Sequence, residues 1–357
     1  MRDYTGKAVF IGLDVHKKTY AITTICSDKV VHKCSMQASP DGFVSYCKKN
    51  YPGAKITSAY EAGFCGFHLH RHLEAAGINN LVVDAASIEI AVGDRVKTDK
   101  RDSLKIAGHL SQGRLKSIHI PSKERESKRS ITRLRDNCVS QRSRLGSQLK
   151  ALLYLNGLIK ADDKRIVSMK WLKEIQALEL DSELKFTIDE YAGMWLSMDA
   201  QVKKINKKLE EQAKADPRLE EIYRSIPGVG VTSARVLTNE LEDMSQFENE
   251  RQLFSFMGLT PTERSSGENV RQGHITRQGR PLLRKILTQI AWKAIRKDPA
   301  LKEIFDRLTN KCGAKKAIIG VARRLIGRMR ACIQKDVLYS VGTRHETSRR
   351  VCDTVSS

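Results

Sequence analysis

The spacing of hydrophobic and polar positions changes character along the chain. Val9-Phe10-Ile11-Gly12-Leu13 is a short apolar run ending in Asp14, the pattern of a buried strand. Residues 19–26 and 29–36 are rich in β-branched side chains and are separated by Ser27-Asp28, which predicts a hairpin. A helical stretch over 40–50 leads to a fourth strand, Lys55 to Tyr60, ending at Glu61. Helical spacing returns over 65–76, and Asn80 to Val83 forms another short strand. From about residue 101 the strand signals fade. Residues 121–155 read as one long basic helix, and 170–215 keep a helical period with a seam that includes Leu172, Ile188, Trp195, Val202 and Leu209. Such a pattern suits an antiparallel helical hairpin or coiled coil, serving either for assembly or as a plain spacer. Pro217 interrupts it, and a second region begins near 220. Residues 281–297 and 315–332 are cationic amphipathic helices, and the tail after about 340 is polar and aperiodic.

Three antiparallel strands followed by alternating helices and strands is the element order of an RNase H-like α/β fold. With 357 residues there is chain enough for more than one core. The expected division is an α/β domain over 1–118, a helical linker over 119–218, a mainly α C-terminal domain over 219–338, and a polar tail over 339–357. Charge then narrows the partner. Sixty-three Lys and Arg against 41 Asp and Glu leave +22, which favours a polyanion, with nucleic acid ahead of a membrane surface. No apolar run approaches the length of a membrane span, and the start has no signal-peptide pattern. The eight cysteines contain no C-x-x-C pair, which speaks against finger or ribbon zinc sites and fits reduced thiols in a cytoplasmic protein.

Four acids stand where chemistry could use them. Asp14 and Glu61 end strands, and Asp99 and Asp102 lie three apart at the start of a helical stretch, on one helix face. Acids in a first helical turn are also favoured by the macrodipole, which is their ordinary explanation. Gathered at one end of an RNase H-like sheet, four carboxylates would repel one another unless cations neutralised them. Two Mg²⁺ ions roughly 3.5–4 Å apart could clamp the attacking and leaving oxygens of a phosphodiester. Sugar kinases and related ATPases also end an N-terminal strand in an acid, but Gly63 and Gly66 supply little of the phosphate loops those need.

Two further segments carry polar chemistry. Ile226-Pro227-Gly228-Val229-Gly230 resembles the hairpin of helix-hairpin-helix DNA-binding motifs. There Gly228 and Gly230 would let backbone N–H groups approach a phosphate; the alternative is a tight turn with no ligand. Ser266 precedes Gly267 in a basic loop, and no acid occurs from Asn269 to Lys297. Arg264, Arg271, Arg277, Arg280 and Arg284 accumulate around it. A loop serine beside arginines is either ordinary or a nucleophile on phosphorus whose oxyanion the arginines stabilise.

Together these segments resemble a known family. Ile11-Gly12-Leu13-Asp14-Val15-His16-Lys17, Tyr60-Glu61-Ala62 and Asp94-Arg95-Val96-Lys97-Thr98-Asp99-Lys100-Arg101-Asp102 resemble the N-terminal signature of the Piv-related DEDD transposases and invertases. Their catalytic domain is RuvC-like, as in the Holliday-junction resolvase. Ile226 to Gly230, Phe256-Met257-Gly258-Leu259-Thr260-Pro261, and Ser266-Gly267 followed by Gly279-Arg280 resemble the C-terminal transposase domain of the same family. The resemblance runs over roughly residues 8–335. It implies that Asp14, Glu61, Asp99 and Asp102 bind Mg²⁺ or Mn²⁺ and that Ser266, with Ser265 as the other hydroxyl, becomes joined to DNA as a phosphoserine. It further implies carboxylates of one subunit acting with the serine of another, a homodimer pairing into a tetramer on DNA, and a linker that serves assembly. The chain also resembles the RNA-guided recombinases of this family, which implies a structured bridge RNA, pairing with target and donor DNA, as a partner. The expected function is therefore that of an insertion-sequence transposase in the cytoplasm, nucleoid-associated. A site-specific invertase, a hydrolytic junction resolvase needing only the carboxylates, and a non-catalytic nucleic-acid-binding protein are the other readings.

Overall fold

The chain separates into two units, Met1–Pro121 and Ser122–Ser357, and the computed structural model describes residues 3–84, 99–263 and 272–342. In the first unit the order is β1 (Ala8–Val15), β2 (Thr19–Cys26), β3 (Lys29–Gln37), α1 (Pro40–Asn50), β4 (Lys55–Glu61), α2 (His68–Ala75), β5 (Asn79–Val83) and α3 (Asp99–Ser111). The strands form one sheet in the order β3-β2-β1-β4-β5. β1, β2 and β3 pair antiparallel, while β4 joins β1 and β5 joins β4 in parallel. Ser27 and Asp28 both adopt positive φ, 50° and 60°, the backbone of a two-residue hairpin turn whose twist suits the flanking strands. Ser39 accepts from the Gly42 N–H at 3.0 Å and Pro40 opens α1, so that helix starts where sequence capping rules put it.

Strand alternation sorts the side chains between two faces. Val9, Ile11, Leu13, Tyr60 and Val82 face a core completed by Phe43 and Cys47 of α1 and Leu69 and Leu73 of α2. The opposite face carries Phe10, Ala59, Leu81 and Val83, and it is covered by Ile106 and Leu110 of α3. Gly12 belongs to this second face. A side-chain carbon there would overlap the Ser103 carbonyl oxygen and the Ala107 backbone nitrogen, and would lie 3.0 Å from the Ala107 Cα. The absent side chain is what lets α3 lie directly on β1.

The second unit begins with α4 (Lys123–Leu155), followed by α5 (Met169–Gln176), α6 (Ser182–Ala213), α7 (Pro217–Ser225), α8 (Val231–Leu241) and α9 (Glu250–Phe256). Then come β6 (Pro261–Glu263), β7 (Gln272–Ile275), α10 (Pro281–Ala294), α11 (Pro299–Cys312) and α12 (Ala314–Gln334). α4 and α6 run antiparallel: Arg142 pairs with Asp199, and Arg135 donates to Asn206 at 2.6 Å. Leu149 and Leu153 meet Ile188, Trp195, Trp171 and Leu172 in one cluster, and Cys138 meets Val202, Ile205 and Leu209 in another. The helical period over 170–215 is broken at 177–181, where Asp181 caps α6 by accepting from the Leu184 N–H at 2.9 Å. Pro217 opens α7 as its first residue and does not merely end the preceding helix. The largest core packs α8, α10 and α12 through Leu237, Leu241, Leu287, Ile290, Val321 and Leu325.

Three arginines of α4 gather on the C-terminal end of α8. Arg125 and Arg129 donate to the Glu240 carbonyl at 2.9 and 2.8 Å, and Arg129 also reaches the Asn239 carbonyl at 3.3 Å. Arg133 grips the Glu240 carboxylate with two bonds, 3.0 and 3.2 Å. Cations are favoured at a helix C-terminus, where the last carbonyls lack partners. Burial, and next the Arg125 charge, lowers Arg129 to about 10, which leaves it cationic at neutral pH. Glu240 is 1% exposed, so its charge is the buried counter-ion of this group.

Two outcomes are expected in urea unfolding. Gly12→Ala loses about 1–3 kcal/mol because α3 must shift off the sheet, whereas Gly108→Ala on the same helix, where a Cβ meets nothing within 4 Å, is neutral or slightly stabilising. Glu240→Ala strands buried guanidinium charge and costs about 3–5 kcal/mol. A midpoint for Gly12→Ala at or above that of Gly108→Ala would contradict the close approach.

Candidate functional site

The acidic end of the sheet follows from register. Leu13 is paired with Tyr60, so the next residues, Asp14, one short of the end of β1, and Glu61, the last of β4, follow at the same end of the sheet. Both fall on the face of Gly12 and Ala59, the face covered by α3. Ser103 and Ala107 stand over Gly12, while Ile106 and Leu110 pack with Phe10 and Ala59, so α3 runs opposite to β1. Its first turn, with Asp99 and Asp102, is thereby directed to the end where Asp14 and Glu61 lie. A buried hydrogen bond of 2.9 Å between the Thr23 and Ser103 hydroxyls fixes the helix along its axis.

The side chains differ in exposure. Asp14 is 21% exposed and holds His16 Nε2 at 3.1 Å; Asp102 is half-buried and Glu61 is exposed. Asp99 is the first residue of α3, and its side chain lies outside the described residues. Among the described residues no three His, Cys, Asp or Glu side chains form a group able to hold a metal ion. The donor chemistry does suit a hard divalent cation. The four acids are oxygen donors, and adjacent carboxylates on one strand-end face repel unless a cation or proton intervenes.

Beyond Glu61 the chain makes a short rigid turn into α2. Ala62 N–H donates to the Val83 carbonyl at 2.8 Å, and the Gly66 N–H to the Gly63 carbonyl at 3.2 Å. Gly66 takes φ +56°. The Tyr60 hydroxyl donates to the Gly66 carbonyl at 2.9 Å and accepts from the His70 N–H at 3.3 Å. Burial raises the Tyr60 phenol far above its ordinary range, which keeps it a donor. Phe64, in the middle of this turn, is 63% exposed.

In the second unit the turn between α7 and α8 divides the work of its two glycines. Gly228, at φ +89°, sits against α10: a Cβ there would be 2.8 Å from Lys293 Cβ and 2.9 Å from the Ile290 carbonyl oxygen. Its smallness serves helix packing. Gly230 faces open space and precedes the first turn of α8, which has no side-chain cap. The pair β6–β7 is antiparallel, with Pro261 opposite Ile275 and Glu263 opposite Gln272. The connection between these strands, 264–271, contains Arg264, Ser265, Ser266 and Arg271, all outside the described residues.

Behind β7 the chain docks on the turn that follows α9. Thr276 N–H donates to the Thr260 carbonyl at 2.8 Å and Arg277 N–H to the Gly258 carbonyl at 3.2 Å. Arg277 takes φ +56°, and side chains at Gly258 or Gly279 would overlap the opposing backbone. Arg284 bonds the Met257 and Gln278 carbonyls at 3.0 and 3.2 Å, so its guanidinium is engaged in holding these turns together. Arg280 occupies the N-cap position of α10 without a side-chain capping bond and is exposed, as is Arg277.

Sequence spacing missed three features here. His16 lay in plain view two residues after Asp14. The role of Arg125, Arg129 and Arg133 depends on partners more than 100 residues away, and the exposure of Phe64 depends on a turn only the fold reveals.

Two family models match the chain. One, described as a DEDD transposase of the IS110 kind, covers residues 11–155, and the other, the transposase IS116/IS110/IS902 family, covers 220–306. The first spans the acidic sheet end and the second the Gly228–Gly230 turn and the β6–β7 ribbon. The chain is 27% identical over 301 residues to the transposase for insertion sequence element IS1533 of Leptospira borgpetersenii, covering 80% of this chain and 85% of that one. It is 26% identical over 289 residues to the transposase for insertion sequence element IS1111A of Coxiella burnetii, covering 79% and 76%. No helix among the described residues is long and apolar enough to cross a membrane. By both family models and by the names of these relatives, the chain is a DEDD transposase of the IS110/IS116 family.

Proposed function

We propose that this transposase cuts and exchanges DNA strands at the ends of its insertion sequence through a phosphoserine at Ser266. The observation that carries the reading is the meeting of Asp14 and Glu61 at adjacent strand ends beneath the first turn of α3. Asp14, Glu61, Asp99 and Asp102 would hold Mg²⁺ or Mn²⁺. Bound there, divalent cations supply charge neutralisation at the attacking and leaving oxygens of a phosphodiester.

The chain's own groups do the rest. β1 and β4 fix Asp14 and Glu61 on a rigid edge, and the Thr23–Ser103 bond fixes the helix that carries Asp102. The Ser266 oxygen forms a bond to phosphorus as the bridging P–O bond of the DNA breaks. The serine gives up its proton, and the departing sugar oxygen takes one up. Attack on the phosphoserine by a hydroxyl of another strand reverses these changes and joins the DNA. Arg264 and Arg271, flanking the serine in sequence, would stabilise charge on the phosphoryl oxygens.

Other surfaces would position DNA without reading its sequence. The Gly230 turn presents uncapped N–H groups of α8 to a phosphate, and Arg277 and Arg280 add charge nearby in sequence to the ribbon. Arg284, engaged with backbone carbonyls, supports the turns of this region and is not a free phosphate ligand. A homodimer that pairs into a tetramer on DNA, guided by a bridge RNA, is consistent with a charge of +22.

A trapping assay tests this. The protein is mixed with Mg²⁺, labelled element-end DNA and the transcript of the flanking region, and denaturation-resistant protein–DNA adducts are sought. The adduct is expected with wild type and is lost with Ser266→Ala and Asp102→Ala. Nicked DNA without adduct, insensitive to Ser266→Ala, would mean that water is the nucleophile.

A further inference from the structure

Among the described residues of the first unit, the large apolar side chains that stand exposed are Val30 and Phe64, and Phe64 is the more exposed at 63%. A ring held in water forfeits most of the stabilisation that burial would give it. The turn gives it no way in. Tyr60, Ala62, Gly63 and Gly66 lock the backbone through the bonds described above, and the neighbours Cys65 and Phe67 are the ones that pack against the sheet core. The fold therefore presents Phe64 outward from a rigid loop, three residues after Glu61 and at the same end of the sheet as Asp14.

The surroundings indicate what would cover the ring. The neighbouring β1–β2 turn places exposed His16, Lys17 and Lys18 at that end of β1. An apolar protein segment would leave Lys17 and Lys18 unmatched, whereas a nucleic-acid strand offers a flat apolar base for the ring and phosphates for the lysines. Bases inside an intact duplex have both faces occupied by their neighbours, so a ring can stack only on a base that has left the stack.

We propose that Phe64 stacks on a nucleobase unpaired beside the phosphodiester held at the Asp14–Glu61 end of the sheet, so that this site takes a locally opened DNA strand. The inference rests on the carboxylate end being the site of DNA cleavage, and the controls below separate the two.

The test uses the full chain with Mg²⁺, the transcript of the flanking region and two element-end DNAs, one fully paired and one with a two-nucleotide mismatch at the cleavage step mapped with wild type. Phe64→Ala is expected to slow cleavage of the paired DNA by about tenfold, the scale of one lost base–aromatic stack. The mismatched DNA should be cleaved nearly as by wild type, since its bases are already free. Phe64→Trp restores the paired substrate and Phe64→Leu does not. A second readout needs no turnover: with Asp102→Ala protein, 2-aminopurine at the cleavage step brightens on binding, and it stays dim when Phe64→Ala is added. Equal losses on both DNAs, full activity of Phe64→Leu, or unchanged brightening with Phe64→Ala would overturn the stacking role. If Asp102→Ala cleaves as wild type does, the carboxylate reading fails instead, and the 2-aminopurine signal still decides Phe64.

Discussion

Helix α3 can lie on the sheet only because position 12 has no side chain, and the acidic end of the first unit depends on that contact. α3 stands on backbone at Gly12, with the Ser103 carbonyl and the Ala107 main chain filling the space a Cβ would take. Any bulk there lifts the helix and carries Asp102 away from Asp14 and Glu61. The constraint also explains why the Thr23–Ser103 bond is buried and 2.9 Å long: with the backbones this close, two short hydroxyls span the gap. A packing requirement in the middle of the sheet thus sets the geometry at its edge.

In the second unit the corresponding anchor is electrostatic. Arg125 and Arg129 satisfy the terminal carbonyls of α8, and Arg133 is matched by the Glu240 carboxylate. Removing guanidinium groups from water is costly, and the cost is offset here because several donors find acceptors at once. The arrangement ties the start of the long helix α4 to α8. It also means that Arg125 and Arg129, two of the 63 basic residues, are engaged inside the fold and are not free to meet a polyanion.

How much was legible depended on the range of the interactions involved. The strands ending at Asp14 and Glu61, the Ser27-Asp28 turn and the helix at Pro40 follow from local alternation and capping, and they fall within a residue or two of their predicted places. Register then brings the two acids together, a step that needs only a parallel pairing of β1 with β4. The interruption at 177–181 was hidden because the apolar spacing continues across it; Asp181 restarts the helix as a cap inside an unbroken hydrophobic seam. The short pair β6–β7 is held by turns in which Gly258 and Gly279 touch opposing backbone, contacts that leave no periodic trace. Gly228 illustrates the limit of motif reasoning: its φ of +89° fits the turn the motif predicts, yet the space it saves is occupied by α10.

The proposed chemistry places one polyanion against another. DNA phosphates brought to Asp14 and Glu61 add negative charge where carboxylates already crowd. Charges more than about 8 Å from the reacting phosphate offset this repulsion little, because at physiological ionic strength they are largely screened. On the proposed chemistry compensation would come from cations in direct contact with both partners, and divalent ions held by oxygen donors would meet that condition. Lys17 and Lys18, exposed in the turn beside β1, would on this proposal draw a strand toward this end of the sheet, but they are monovalent and strongly hydrated. On this proposal the division is physical: side-chain cations would gather the DNA, and a metal ion held by the carboxylates would bridge their charge to that of the reacting phosphate.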